Sequence, residues 1–204
     1  MRQILLLGFL LLTAISTYSQ SDGPSQPCTL KLSQAPAVHG VKLGMTVDEL
    51  FALFPGSGDK AGLKETLSAA DGYSNFGYAS FQLTPSLYST KDNFAGIETY
   101  SIQSFDRRVV GFNVSYVAFP TGARWRNPDD LVQRFTESLH LPSPKNWTAE
   151  LGSPHRTLNC DGFQTMVSAA NEHALISFTN RGWERTQKER FAAFEEQKRR
   201  DFKP

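Results

Sequence analysis

The sequence predicts an α+β protein made of tandem helix–antiparallel-sheet units followed by a long C-terminal helix. Three observations predict it. A helix followed by three strand-like stretches occurs at 46–119, and the same order recurs at 128–179. The strand-like stretches alternate apolar and polar residues and are joined by short polar turns, the pattern of antiparallel pairs with one covered face. Residues 182–202 are dominated by charged side chains at helical spacing. Helices laid on one face of antiparallel hairpins give a two-layer fold.

The bulk properties agree. A chain of 204 residues with 40% apolar and 20% charged residues is globular rather than disordered. Its 15 Phe, 6 Tyr and 3 Trp supply a substantial core. A formal charge of +1 argues against a nucleic-acid binder.

The division expected from the sequence is a signal peptide over 1–19, an N-terminal arm over 20–38, a first unit over 39–122, a second over 123–180, and a polar helix over 181–204. The first segment has Arg2 before an apolar run from Ile4 to Leu12, then the small residues Ser16, Thr17 and Ser19. That is the charge, length and flank chemistry of secretory export, with cleavage expected after Ser19. The run is too short for a spanning helix. An uncleaved anchor is the alternative. The mature chain is expected to be soluble, with no membrane span, in the periplasm or outside the cell. Cleavage removes Arg2, which balances the charge. Within that balance residues 181–204 hold eight basic and five acidic side chains.

Cys28 and Cys160 are the only cysteines. Export puts them where disulfides persist, and they lack the spacing of a zinc or redox motif. One Cys28–Cys160 bond is expected, with two buried thiols as the alternative. A catalytic Cys160 paired with His155 lacks any sign of an oriented base.

Residues 20–27 read as a mobile arm, and 28–38 as holding a short strand with Leu30 and Leu32 on one face. Thr46 is then a good N-cap, and Glu49 three residues on completes a capping box. Met45 and Leu50 sit where a hydrophobic staple would close. Val47, Leu50, Phe51 and Phe54 share a helix face, and Pro55-Gly56 ends it. Gly44 before the cap reads as a structural turn, with a phosphate-binding turn as the weaker alternative. A short helix is expected from Lys60 to Ala69. Strands are expected over Tyr73–Leu83, Ile97–Phe105 and Val109–Phe119, with a polar loop over 84–96. The last two form a hairpin turning at Asp106-Arg107-Arg108. In the third, Val110, Phe112, Val114 and Tyr116 share one face, and Gly111, Asn113 and Ser115 the other.

Asn127 caps a second helix, with Pro128 in its first turn and Asp129-Asp130 at its positive end. Leu131, Val132, Phe135 and Leu139 form its inner face, and Pro142 stops it. Strands follow at Arg156–Cys160, Gly162–Ala169 and His173–Thr179, with a turn at Asn171-Glu172. The final helix pairs opposite charges four apart, as in Glu184–Lys188, Arg185–Glu189, Glu195–Arg199 and Glu196–Arg200. Trp183, Phe191, Phe194 and Phe202 are its apolar anchors. It reads as a solvated helix lying along the sheet, with partner binding as the alternative.

The run Val41-Lys42-Leu43-Gly44-Met45-Thr46, leading into an acidic-then-apolar helix, resembles two families. One is the SmpA/OmlA-type (BamE-like) envelope-assembly lipoproteins, the other the secreted β-lactamase-inhibitory proteins (BLIP). Exported bacterial proteins with an N-terminal-arm Cys, a Cys-x-Gly-Phe segment (here Cys160-Asp161-Gly162-Phe163) and a basic tail ending Phe202-Lys203-Pro204 are similar too. The resemblance implies helices followed by antiparallel strands, two such units in tandem in the inhibitors, and an envelope or secreted setting. The chain has no lipobox, its second unit lacks the Gly-Met-Thr run, and no inhibitor contact residue has a counterpart here.

Chemistry is sparse. His39, His140, His155 and His173 lack the spacing of a metal motif. No nucleophile elbow, Walker or dinucleotide motif occurs. Asp129-Asp130 is explained by its helix start. Asn113-Val114-Ser115 and Asn146-Trp147-Thr148 match the glycosylation sequon. No catalytic residue, metal or cofactor is expected. The expected function is a non-catalytic module that binds a secreted protein or envelope component across an open sheet face. Exposed aromatics on that face would support it, and an even polar face would count against it. The alternatives are an enzyme assembled from His155, Asp161 and His173, or a small-ligand carrier with a closed apolar cavity.

Overall fold

The computed structural model describes residues 27–57, 61–70, 76–88, 94, 96–116, 127–149, 153–170 and 173–202. The expected signal peptide, its cleavage point and the start of the arm lie outside these residues.

Among the described residues the architecture is α+β, with a seven-stranded antiparallel sheet and five helices. Helices α1 (Val47–Leu53) and α2 (Ala61–Ala70) precede strand β1 (Tyr78–Leu83). A four-residue helix α3 (Pro85–Tyr88) leads to β2 (Ile97–Phe105) and β3 (Arg108–Tyr116). Helix α4 (Pro128–Ser138) is followed by β4 (Thr148–Ala149), β5 (His155–Asn159), β6 (Phe163–Ala170), β7 (His173–Asn180) and the long α5 (Trp183–Asp201).

The strand order is β1-β2-β3-β7-β6-β5-β4. Each half of the chain is a meander, and the last strands of the two halves pair at the centre, Phe112 against Phe178 and Val114 against Ile176. One sheet therefore runs through both helix–strand segments. One of its faces carries Leu83, Tyr100, Ile102, Phe112, Val114, Ile176, Phe178, Val167 and Leu158, all buried in a single apolar cluster. The Phe112 and Phe178 rings stack at 5.0 Å across the central pair. Leu50 from α1, Phe54 at its C-terminal cap, and Leu131 and Val132 from α4 join the cluster. The Phe54 ring meets Phe94 at 4.9 Å and Tyr100 at 5.5 Å.

The helix starts form as their local chemistry dictates. Glu49 N–H donates to Thr46 Oγ1 at 3.1 Å, and Thr46 N–H donates to Glu49 Oε2 at 2.7 Å. Asp129 N–H donates to the Asn127 side chain at 2.9 Å, with Pro128 opening α4. Gly44, at φ +82°, turns the chain so that residues 44–47 run beside the β2–β3 hairpin. Gly44 and Val109 exchange one backbone bond, Val109 and Met45 another, each 2.8 Å. Val47 N–H donates to Arg107 O at 2.9 Å, so this amide at the start of α1 is spent on the hairpin rather than on a phosphate.

The Glu49 cap makes the acid limb of stability predictable. Bonding to the Thr46 amide and hydroxyl holds the Glu49 carboxyl below its ordinary value. The folded value lies below the unfolded one, so this contribution is complete above the ordinary carboxylate range, about pH 4.3, and is lost as pH falls through the folded value. Glu49→Gln keeps an acceptor oxygen without the titration. Melting temperatures across pH 2–7 should show the wild type losing more than Glu49→Gln in the acid limb.

Three local details differ from expectation. The strand expected from Tyr73 begins at Tyr78, because Phe76 and Gly77 turn at φ +51° and +89°. The loop expected over 84–96 opens with α3, started by Pro85. The strand expected within 28–38 is reduced to isolated bridges, Lys31 to Asp161 before a 3-10 turn over Leu32–Gln34, and Val38 to Val41. Asp161 N–H donates to Leu30 O at 3.0 Å, and Lys31 pairs with the Asp161 carboxylate. Cys28 and Cys160 are disulfide-bonded, with 4.6 Å between their Cα atoms. Gly162, at φ +95°, lies under this segment, and a Cβ there would fall 3.3 Å from Leu32 Cβ.

Candidate functional site

The second face of the sheet is set by the same registers. From one edge to the other it presents Ser80 and Gln82 on β1, Thr99, Ser101 and Gln103 on β2, and Asn113 and Ser115 on β3. It continues with Leu175, Ser177 and Thr179 on β7, Gln164, Met166 and Ser168 on β6, Thr157 and Asn159 on β5, and Thr148 on β4. His155 at the start of β5 shares this face, and no carboxylate, ammonium or guanidinium stands among these positions. Gly111 lets Gln103 lie flat on this face, since a Cβ there would be 2.5 Å from Gln103 Oε1. Glu98 and His173, 3.8 Å apart, close one end of the face. Arg181, bonded to Asn159, closes the other.

Aromatics do occur on this face, at Tyr78 and Phe105, but α5 roofs them. Trp183 stacks on Tyr78 at 5.1 Å and lies 5.8 Å from Phe105. The Arg190 guanidinium sits 4.7 Å from the Phe105 centroid and makes two 2.7 Å bonds to the Asp106 carboxylate. Phe191 and Phe194 each meet Phe76 at 5.5 Å. The final helix thus packs over the β1–β2 end; on the rest of the face the small Ser168 and Ser177 are buried between their neighbours, and the longer polar side chains are half-buried or exposed. Among the described residues the exposed large apolar side chains, Leu87, Phe191 and Phe202, stand on helices or a helix end, not on the sheet. The uncovered part of the face is mainly polar, which by the criterion set from the sequence counts against the expected module and leaves only a partner rich in hydrogen-bonding groups for it.

A half-open groove of about 350 Å³ lies at the β4–β6 end of this face, lined by Thr148, Ser153, His155, Thr157, Asn159, Gln164 and Met166. Thr148 Oγ1 donates to Thr157 O at 3.1 Å, and Gln164 Nε2 donates to Asn159 Oδ1 at 2.8 Å. Arg181 donates to that same Asn159 oxygen. The amide pair is thereby oriented, with Asn159 Nδ2 and Gln164 Oε1 left over.

The residues of the catalytic alternative do not converge. His155 opens β5 and Asp161 lies beyond its far end, so the strand alone holds them more than about 13 Å apart. Asp161 is engaged by Lys31, and His173 by Glu98. His39 and His140 both occupy positive-φ turn positions, at 49° and 52°. Among the described residues no three His, Cys, Asp or Glu side chains gather to hold a metal, and no helix is long and apolar enough to cross a membrane. Asp129 of the acidic pair bonds Arg156 at 2.6 Å, which joins α4 to β5. Of the two sequons, Asn113 lies inside β3 and Asn146 in a 3-10 turn over Pro144–Asn146.

The groove itself carried no sequence signal. Its wall is the two-residue strand β4, and its polar groups come from strands whose pairing is set over long range. No protein-family model, curated protein or solved structure matches the chain.

Proposed function

We propose that this is an exported, non-catalytic binding module whose working surface is the uncovered face of the seven-stranded sheet, and whose partner is a polar component of the cell envelope. One observation carries the reading: hydroxyl and amide side chains, interrupted by Leu175 and Met166, run across strands from β1 to β4 on the part of the face that α5 leaves uncovered. Burying neutral polar groups is favourable only when a partner supplies matching hydrogen bonds, so such a face selects a partner rich in donors and acceptors. The Arg2–apolar–small N-terminal segment supports export, as does the Cys28–Cys160 bond. The likeness of residues 41–46 to the BamE-like and β-lactamase-inhibitory families supports the envelope setting.

The test is capture from the envelope fraction of the host after mild crosslinking. The wild type is compared with a Ser101→Arg, Asn113→Arg, Thr179→Arg variant and with a helix control, Glu137→Arg. The wild type and the control should recover the same component, and the face variant should lose it at unchanged melting temperature. Equal recovery by all three overturns the reading.

A further inference from the structure

We propose that the groove at the β4–β6 end of the open face is a binding site for a neutral saccharide. The inference rests on the reading of this face as a binding surface and names the ligand class of one part of it.

The chemistry of the lining selects the ligand. The groove of about 350 Å³ holds three hydroxyl residues, two amides, one imidazole and one thioether. Among the described residues no carboxylate or ammonium lines it, and the one guanidinium at its edge, Arg181, is engaged by Asn159, so a charged ligand would shed water for little counter-charge. The single apolar group, Met166, is too little for a lipid chain. What remains is a site for a ligand with a rim of hydroxyls and a modest C–H face.

The polar groups are arranged for such a ligand. Thr148, Thr157 and Met166 form one row across β4, β5 and β6, and Asn159 and Gln164 form the next row. Neighbours in a row are about 4.8 Å apart, and the rows are about 6.8 Å apart. Met166 gives an apolar floor beside the amide pair. Asn159 Oδ1 is already filled by Gln164 and Arg181, which fixes the orientation of both amides. Asn159 Nδ2 and Gln164 Oε1 then offer a donor and an acceptor side by side, as a vicinal diol requires. Among the described residues nothing bonds the Thr157 hydroxyl or the His155 imidazole, which add a third and fourth group. Ser153, bonded at 3.2 Å from His155 N–H, holds the turn that sets that imidazole at the rim.

The experiment is an amide-resolved NMR titration of the disulfide-intact protein with maltose, cellobiose and N,N′-diacetylchitobiose, and with glucose 6-phosphate as the anionic counterpart. At least one neutral disaccharide should shift the Asn159 and Gln164 side-chain amides at concentrations near a millimolar Kd, roughly what a few uncharged hydrogen bonds support. Asn159→Ala and Gln164→Ala should each weaken binding by about fivefold to tenfold at unchanged melting temperature. Met166→Ala, which leaves every hydrogen bond in place, should also weaken it. Three outcomes overturn the inference: no shift with any neutral disaccharide, shifts away from the groove, or binding of glucose 6-phosphate alone. A groove silent to sugars, with envelope capture still lost in the Arg variant of the face, overturns this inference and leaves the binding-module reading standing.

Discussion

Replacing both Cys28 and Cys160 by serine should lower the unfolding free energy by about 3–5 kcal/mol. The bond joins residues 132 apart in sequence, so its removal releases a long loop in the unfolded chain. The cost is large beside the total stability of a domain, about 5–15 kcal/mol. The folded state also loses local order. Both cysteines are buried, and the 28–34 segment is otherwise held by the Leu30–Asp161 backbone bond and the Lys31–Asp161 pair. Urea unfolding under reducing and non-reducing conditions measures the difference, and hydrogen exchange at residues 29–35 locates it. A loss under about 1 kcal/mol would mean that the arm is held by its other contacts.

Phe178→Ala should cost about 3–5 kcal/mol, the range for emptying a packed aromatic site. Phe178 is fully buried and stacks on Phe112 where the two halves of the sheet join. The strand pairing across that join predicts a single unfolding transition, moved to lower denaturant as a whole. Two transitions, with only one moved, would show that the halves fold apart from each other. Phe112→Ala probes the same contact from the other strand and should fall short of additivity with Phe178→Ala, because each removes the other's partner.

What could be read from the sequence follows from the range of each interaction. The Thr46–Glu49 box and the Asn127-Pro128 start are signals of two to four residues, and both form as read. The alternation along Val110–Tyr116 showed that β3 has two unlike faces, although a register shift at the β2–β3 hairpin buries Val110 out of sequence. Long-range placement was not legible. Val114 meets Ile176 across 62 positions, and no local pattern in either strand names the other. The final helix was visible as a helix, but the Arg190–Asp106 bridge that seats it links residues 84 apart. An aromatic patch on the sheet face was the expected sign of binding. Tyr78 and Phe105 do lie there, but Trp183 packs over them, and the uncovered remainder is mainly polar.

The claim that the open sheet face is the working surface is tested most directly by photo-crosslinking. A benzophenone side chain is placed singly at Ser101, Asn113 or Gln164 on the face, and at Glu137 on α4 or Lys188 on α5. Each protein is irradiated in its own host's envelope. The account predicts one shared adduct from the three face positions and none from the two helix positions. Adducts from Glu137 or Lys188, with the face positions silent, would contradict it.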